Sequence, residues 1–464
     1  MIGHRRLWQR VSVWWYDLQD SLWFVPAILT VCAALLALGL IRVDEAVRLD
    51  ERQRSSIAYT WAFGGGAEGA RGVLTSISGT MITVIGVVFS LTVVSLQLAS
   101  SQFTPRVLRT FTGDRGNQLV LGVFISTFTY ALLVMRAIRS ESESGESFVP
   151  AISVTVAIVM ALISVGFLIY YIHHITRSIQ AGVIIERAKA DTLAMLNEVF
   201  PEDDGGTLPE PPLLPEALAY QVRMESGGYV QRIAVDMLKS LATDDETGID
   251  HLVVRLDTPV GGFLTPHAPL ASVWPASAGR AVEEQIRTAV TVGMERTLQT
   301  DIDLGMRQLA DIALKSLSPG INDPTTATMC LDRMGEVLVE VGRRPDRPAI
   351  RCGPRGRGVV ILPGPTFGSL AIVAFSQVRH YGAADVTVME HVLTTLRRVM
   401  ENVPPGRHDT LIDQARLGLH AAREAITLPE DIARVERAAA WLGDGLGGAS
   451  PATPVGLVRT GTSG

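Results

Sequence analysis

Residues 73–103 read V-L-T-S-I-S-G-T-M-I-T-V-I-G-V-V-F-S-L-T-V-V-S-L-Q-L-A-S-S-Q-F, 31 positions without a charged side chain. About 20 such residues of helix cross the hydrocarbon core of a bilayer, so the stretch predicts a membrane span. It is nevertheless polar for a helix surrounded by lipid. At helical spacing one row carries Ser76, Thr80, Thr83, Val87, Ser90, Val94, Gln97 and Ser101, and a parallel row places Gly72, Gly79 and Gly86 at seven-residue intervals. Small residues let helix backbones approach closely, and hydroxyls and amides in a membrane seek partners on neighbouring helices or water in a cavity. The segment is therefore expected at the centre of a helical assembly.

The remaining composition agrees with a membrane setting. Of 464 residues, 47% are hydrophobic and only 19% charged, and the mean hydropathy is +0.26, the balance of an integral membrane protein. A net charge of −6 argues against a nucleic-acid partner, because no basic face is large enough to follow a phosphate backbone. Cys32, Cys330 and Cys352 show no metal or redox spacing, which suits a reducing compartment. The first apolar run begins near Trp23 and lacks a small-residue cleavage site, so the chain is expected to be anchored by its own helices.

Four spans are predicted, at about 23–41, 73–103, 118–135 and 148–172, after an interfacial segment 1–22 rich in Arg and Trp. An even number of spans places both termini on one side. Lys and Arg number nine on the N-terminal side (1–22, 100–117, 173–190) and seven in the opposite loops. The positive-inside rule then puts both termini in the cytoplasm of a bacterium, with the spans in its inner, plasma membrane. Beyond them, 173–216 is expected as a juxtamembrane helix, running unbroken through His173 and His174 to Phe200, and a linker opened by Pro201. Residues 217–275 predict a small β-rich module, 276–446 a mostly helical region with a strand at V-V-I-L-P (359–363), and 447–464 a disordered tail. The fold class is a four-helix membrane domain followed by a soluble α+β domain.

Three groups of residues stand out for function. Ser76, Thr80, Thr83, Ser90, Gln97 and Ser101 form either a lining for an ion or small solute or a helix-packing face with hydroxyls bonded to their own backbone. Arg106, Arg109 and Arg115 form a membrane-proximal basic loop that suits anionic lipid headgroups, a vestibule rim or plain topogenic charge. The motif S-P-G-I-N-D-P-T-T-A (318–327) sets Asp323 to cap a helix with Pro324 in its first turn. Ser318, Asn322, Asp323, Thr325, Thr326, Asp332 and Arg333 then form a candidate ligand corner, with Asp301, Asp303 and Asp311 nearby in sequence; the alternative is a helix corner fixed by its caps. His173 and His174, without other His or Cys partners, read as solvated surface. The β segment 227–273 loosely resembles half of a lipoyl- or biotinyl-type barrel, but has His267 where a second turn glycine belongs and no carrier lysine. No nucleophile elbow, P-loop, dinucleotide fingerprint or metalloprotease motif appears, which weighs against an enzyme; no cofactor is expected.

Two motifs carry a family resemblance: G-T-M-I-T-V-I-G-V-V-F-S-L-T-V-V-S-L-Q-L-A-S-S-Q-F-T-P-R with D-R-G-N-Q after it, and R-Q-L-A-D-I-A-L-K-S-L-S-P-G-I-N-D-P-T-T-A. Over roughly residues 15–430 the chain resembles the bacterial predicted membrane proteins grouped as domain of unknown function 2254. That resemblance implies an integral membrane protein and no activity. From the residues, the leading expectation is a homo-oligomeric, channel-like or solute-conducting protein in contact with membrane lipid, with a regulatory cytoplasmic domain. A non-conducting scaffold or ligand sensor is the alternative, and a membrane enzyme ranks third.

Overall fold

The computed structural model describes residues 23–49, 63–102, 114–139, 148–200, 214–241, 252–297, 301–344, 349–352 and 359–444. Two compact units, Met1–Ile184 and Ile185–Gly464, divide the chain.

The first unit contains α1 (Phe24–Leu49), α2 (Ala67–Gln102), α3 (Arg115–Ala137) and α4 (Ala151–Ser178), each long and apolar enough to cross a membrane. They overrun the spans read from the sequence. At 1.5 Å per residue, the 36 residues of α2 extend about 54 Å, well beyond a hydrocarbon core of about 30 Å. The helix enclosed within this unit is α3, not α2: 56% of its apolar window is buried, against 11% for α2. Small residues make that enclosure possible. A Cβ at Gly122 would lie 2.6 Å from Leu29 Cδ1 and 3.3 Å from Pro26 Cα, so α1 crosses α3 where no side chain intervenes. Ala33, Ala37, Ala70, Ala131 and Ala157 fill the same core beside Leu74, Tyr130 and Val134.

Three inter-helix hydrogen bonds join polar groups inside this bundle. The Tyr130 hydroxyl donates to the Ser153 carbonyl at 3.0 Å, Thr127 and Ser164 hydroxyls lie 3.0 Å apart, and Tyr171 Oη is 2.8 Å from Thr92 Oγ1. Such bonds link helices where lipid offers the groups no alternative. The N-terminus of α4 has Pro150 at its cap and no side-chain cap of its own. Asp44 of α1 supplies it, accepting the N–H groups of Ile152 and Ser153.

The helix predicted to run unbroken to Phe200 is interrupted. It ends at Ser178, resumes as α5 (Ala181–Ala194) and closes with α6 (Leu196–Val199). Thr176 and Ser178 hydroxyls donate to the carbonyls four residues earlier, a competition that bends helices, and the Gln180 N–H turns back to the Arg177 carbonyl.

In the second unit come β1 (Tyr220–Arg223), β2 (Gly228–Ile233), α7 (Val235–Leu241), β3 (Val253–Leu256), β4 (Phe263–Leu264), β5 (Pro269–Trp274), α8 (Ala276–Ala289) and β6 (Val290–Gly293). Then follow α9 (Ile302–Ser316), α10 (Pro324–Gly342), β7 (Ala349–Cys352), β8 (Val359–Leu362), α11 (Phe367–Tyr381), α12 (Val386–Asn402), α13 (His408–Ala425), α14 (Pro429–Ala438) and α15 (Trp441–Asp444). One sheet has the order β1-β5-β3-β8-β7, the other β4-β2-β6. Every pairing is antiparallel except β3 with β8. Strand β8 falls on the V-V-I-L-P strand expected at 359–363, whereas β6 and β7 come from the stretch read as mostly helical; all three complete sheets begun before residue 275. Strand β5 is buried at five consecutive positions, Leu270–Trp274, because it is paired on both edges and covered by α8; Gly279 of α8 has Tyr220 where its Cβ would be. His267, standing where a turn glycine was expected, adopts φ 65°, the left-handed conformation such a turn demands.

Candidate functional site

The polar row of α2 lies on the face that the bundle leaves open. Leu74, Ser78, Met81, Val88 and Ser95 point into the first unit and are buried, whereas Ser76, Thr80, Thr83, Ser90 and Gln97 are exposed. The glycine row shares that openness: a Cβ at Gly72, Gly79 or Gly86 meets nothing within 4 Å. Thr83 donates its hydroxyl to the Gly79 carbonyl. Ser101 sits at the end of α2, and its side chain is outside the described residues, as are Arg106 and Arg109. Arg115 is exposed at the first position of α3.

Just beside Arg115, Asp114 caps α3 by accepting the N–H groups of Gly116 and Asn117. His174 Nε2 lies 2.8 Å from Asp114 Oδ1, with Tyr170 stacked on its ring at 5.4 Å. Only His173 of the histidine pair is exposed. His174 is partnered, contrary to the reading of both as solvated surface; its partner lies 60 residues away, and sequence spacing does not reveal it.

The corner at 318–326 is built from capping bonds. Ile321 and Asn322 N–H groups donate to the Ser318 carbonyl, Asn322 takes φ 48°, and the Asp323 N–H reaches the Ser316 carbonyl at 2.8 Å. Asp323 accepts the Thr326 N–H at 3.1 Å and the Thr326 hydroxyl at 2.5 Å. The hydroxyl bond outweighs partial burial and, with the backbone N–H groups of Thr326 and Thr325, holds the Asp323 carboxyl below its ordinary range. Ser318 donates its hydroxyl to Lys315, Thr326 is buried and Thr325 is exposed. Asp332 and Arg333 belong to other networks, Asp332 with His391 and Arg398, Arg333 with Glu186 and Glu336. Among the described residues no group of three His, Cys, Asp or Glu side chains is placed to hold a metal ion.

Asp301 and Asp303 take part in a different arrangement, at the edge of a cavity of about 340 Å³ in the second unit. Its walls come from the loop Pro259–Gly262, the loop Pro363–Pro365, the ends of α6 and β2, and the first turns of α9 and α11. Arg296 forks onto Asp301 (Nε–Oδ2 2.7 Å, Nη2–Oδ1 2.8 Å) and its Nη2 also reaches Asp303 at 2.8 Å; Arg307 reaches Asp303 at 2.9 Å. Burial opposes charge on Arg296, yet the hydrogen bonds it donates to both carboxylates prevail and raise its pKa. Burial likewise works against ionised Asp303, and the two arginines overcome it, holding the carboxyl below its usual value. Gly261, at φ 81°, packs directly on this group: a Cβ there would collide with Asp301 Oδ2 and the Arg296 guanidinium.

Comparison with known proteins bears on most of the chain. A family model described as "Predicted membrane protein (DUF2254)" matches residues 19–398. The chain is 34% identical over 432 residues to uncharacterized protein Rv1290c of Mycobacterium tuberculosis, an alignment covering 91% of this chain and 80% of that protein. Uncharacterized protein Mb1321c of Mycobacterium bovis matches with the same identity and coverage. No solved structure gives a significant match.

Proposed function

This chain belongs to the predicted-membrane-protein family DUF2254, and from that premise we propose that it assembles as a homo-oligomer through the outward face of α2, whose Thr80, Thr83, Ser90 and Gln97 line a path for an ion or small solute. The observation that carries this reading is the direction of the polar row: the hydroxyls, the Gln97 amide and the glycine row all face away from the bundle. Amides directed at hydrocarbon are costly, and a row of glycines is of use only to another backbone that approaches it. A second copy meets both conditions. The interior of one copy is filled by Leu74, Phe124, Tyr130, Val134 and Tyr171, all fully buried, so the path runs between copies. Uncharged hydroxyls and amides replace part of a hydration shell without trapping an ion. Both termini are cytoplasmic in this arrangement and the spans lie in the plasma membrane, which the even number of spans and the distribution of Lys and Arg support.

The test is ionic current through the purified protein in planar bilayers, wild type beside Thr83→Val/Ser90→Val, with chemical cross-linking to register assembly. Unitary currents altered by the double substitution are expected. A cross-linked, folded and silent protein overturns conduction and leaves a scaffold or ligand sensor, the reading that the cavity of the second unit favours.

A further inference from the structure

We infer that the cavity of the second unit is a binding site for an uncharged, mainly apolar molecule carrying an amide, with its carbonyl directed to Arg296 and its N–H to Asp303. The walls set the body of the ligand. Phe200, Ile233, Val260, Ile302 and Leu362 present apolar surface around a space of about 340 Å³, within the size range of small-molecule pockets. The charges set its sign. Arg296 and Arg307 stand against Asp301 and Asp303 in one hydrogen-bonded network, so the site is balanced, and a net charge on the ligand meets repulsion from one member without a free counter-charge.

The atoms left over set the polar group. Arg296 uses Nε and Nη2 on the two carboxylates, and Asp303 uses Oδ2 on both arginines. Arg296 Nη1 and Asp303 Oδ1 make no hydrogen bond among the described residues, which leaves the two N–H donors of one nitrogen and one acceptor oxygen on neighbouring, already paired side chains. An amide edge offers the complementary acceptor and donor; a carboxylate offers only acceptors and an ammonium only donors. The site is also fixed in place: the fork on Asp301 holds the guanidinium, Asp301 accepts the Leu304 N–H as the cap of α9, and Gly261 admits the pair against its backbone.

The test uses the full chain in lipid nanodiscs and equilibrium dialysis of three probes of matched body: 2-naphthamide, 2-naphthoate and (2-naphthylmethyl)ammonium, with protein-free nanodiscs correcting for partition into lipid. Saturable retention of the amide, about tenfold tighter than either charged probe, is expected, with loss of the saturable part in Val260→Trp, which fills the cavity. Dodecanamide in the same format separates a membrane-derived acyl amide from a compact soluble one; saturable binding of either supports the site. Absence of saturable amide binding, equal binding of 2-naphthoate, or binding undiminished in a folded Val260→Trp overturns the proposal. Should that variant not fold, the rank order on the wild type decides alone. Currents through α2 are a separate readout, so silence in bilayers leaves this result standing.

Discussion

Asp44 Oδ2 accepts both the backbone N–H of Ser153, at 3.0 Å, and the Ser153 hydroxyl, at 2.6 Å, so the carboxylate of one spanning helix caps another more than a hundred residues later. Asp44 is 5% exposed and its carboxylate also takes the Ile152 N–H. Removing it leaves several donors of the first turn of α4 buried without partners, which typically costs about 1–3 kcal/mol. Asp44→Ala is therefore expected to lower the unfolding midpoint of the full chain in detergent, and Asp44→Asn to recover part of the loss, since an amide oxygen accepts but carries no charge for the helix dipole. A midpoint unchanged in Asp44→Ala would remove the cap from the account of this bundle.

Glycines of the first unit divide into two kinds, and substitution separates them. Gly122 faces Leu29 and the backbone of Pro26, whereas Gly79 faces open space. Gly122→Ala is expected to destabilise the single copy by about 1–3 kcal/mol through overpacking. Gly79→Leu should leave the stability of a single copy in detergent nearly unaltered but weaken cross-linking between copies in nanodiscs. Cross-linking that persists in Gly79→Leu would mean that copies associate through another face.

The contrast between those glycines also marks how far the sequence could be read. The four spans were legible because apolar runs of 18 or more residues have few other uses. The polar row of α2 was legible from its spacing, yet the face it occupies depends on which of two apolar flanks α3 covers, and periodicity does not distinguish them. The interruption at Ile179 was hidden because hydroxyl back-bonding leaves no change in composition. Asp323 and Pro324 announced their helix start by local chemistry alone, while the five-stranded sheet joins strands more than a hundred residues apart, Val253 to Val359. The cavity was less accessible still: Gly261, Arg296, Asp301 and Leu362 meet only through tertiary structure, and the sequence singled out Asp301 only as a neighbour of the 318–327 motif.

Gly261 supplies a local test of that cavity. Its φ of 81° disfavours any side chain, and a Cβ would collide with the Arg296–Asp301 pair. Gly261→Ala is expected to cost about 1–3 kcal/mol and to speed hydrogen exchange at 260–262 and at the start of α9. Gly364, which also lines the cavity, has nothing within 4 Å of a Cβ, so Gly364→Ala should be close to neutral in the same exchange experiment. Equal effects at the two positions would contradict the packing of Gly261 on the ion pair.

Acid provides a final readout, through Asp323. Its carboxyl is held below the ordinary value chiefly by the Thr326 hydroxyl, partial burial opposing and backbone N–H groups of Thr326 and Thr325 assisting. A carboxyl whose folded pKa is depressed binds its proton more readily when unfolded. It therefore contributes stability above its unfolded value, near 4, and that contribution disappears as pH falls through the folded value. Unfolding of the full chain by denaturant, followed by fluorescence between about pH 6 and pH 2.5, should show a shallower acid loss in Asp323→Asn than in wild type. Thr326→Val should fall between them, because it removes the hydroxyl and keeps its own backbone N–H on the carboxylate. Were Thr326→Val to match wild type throughout, the hydroxyl would not be what lowers Asp323, and the cap would rest on its backbone bonds alone.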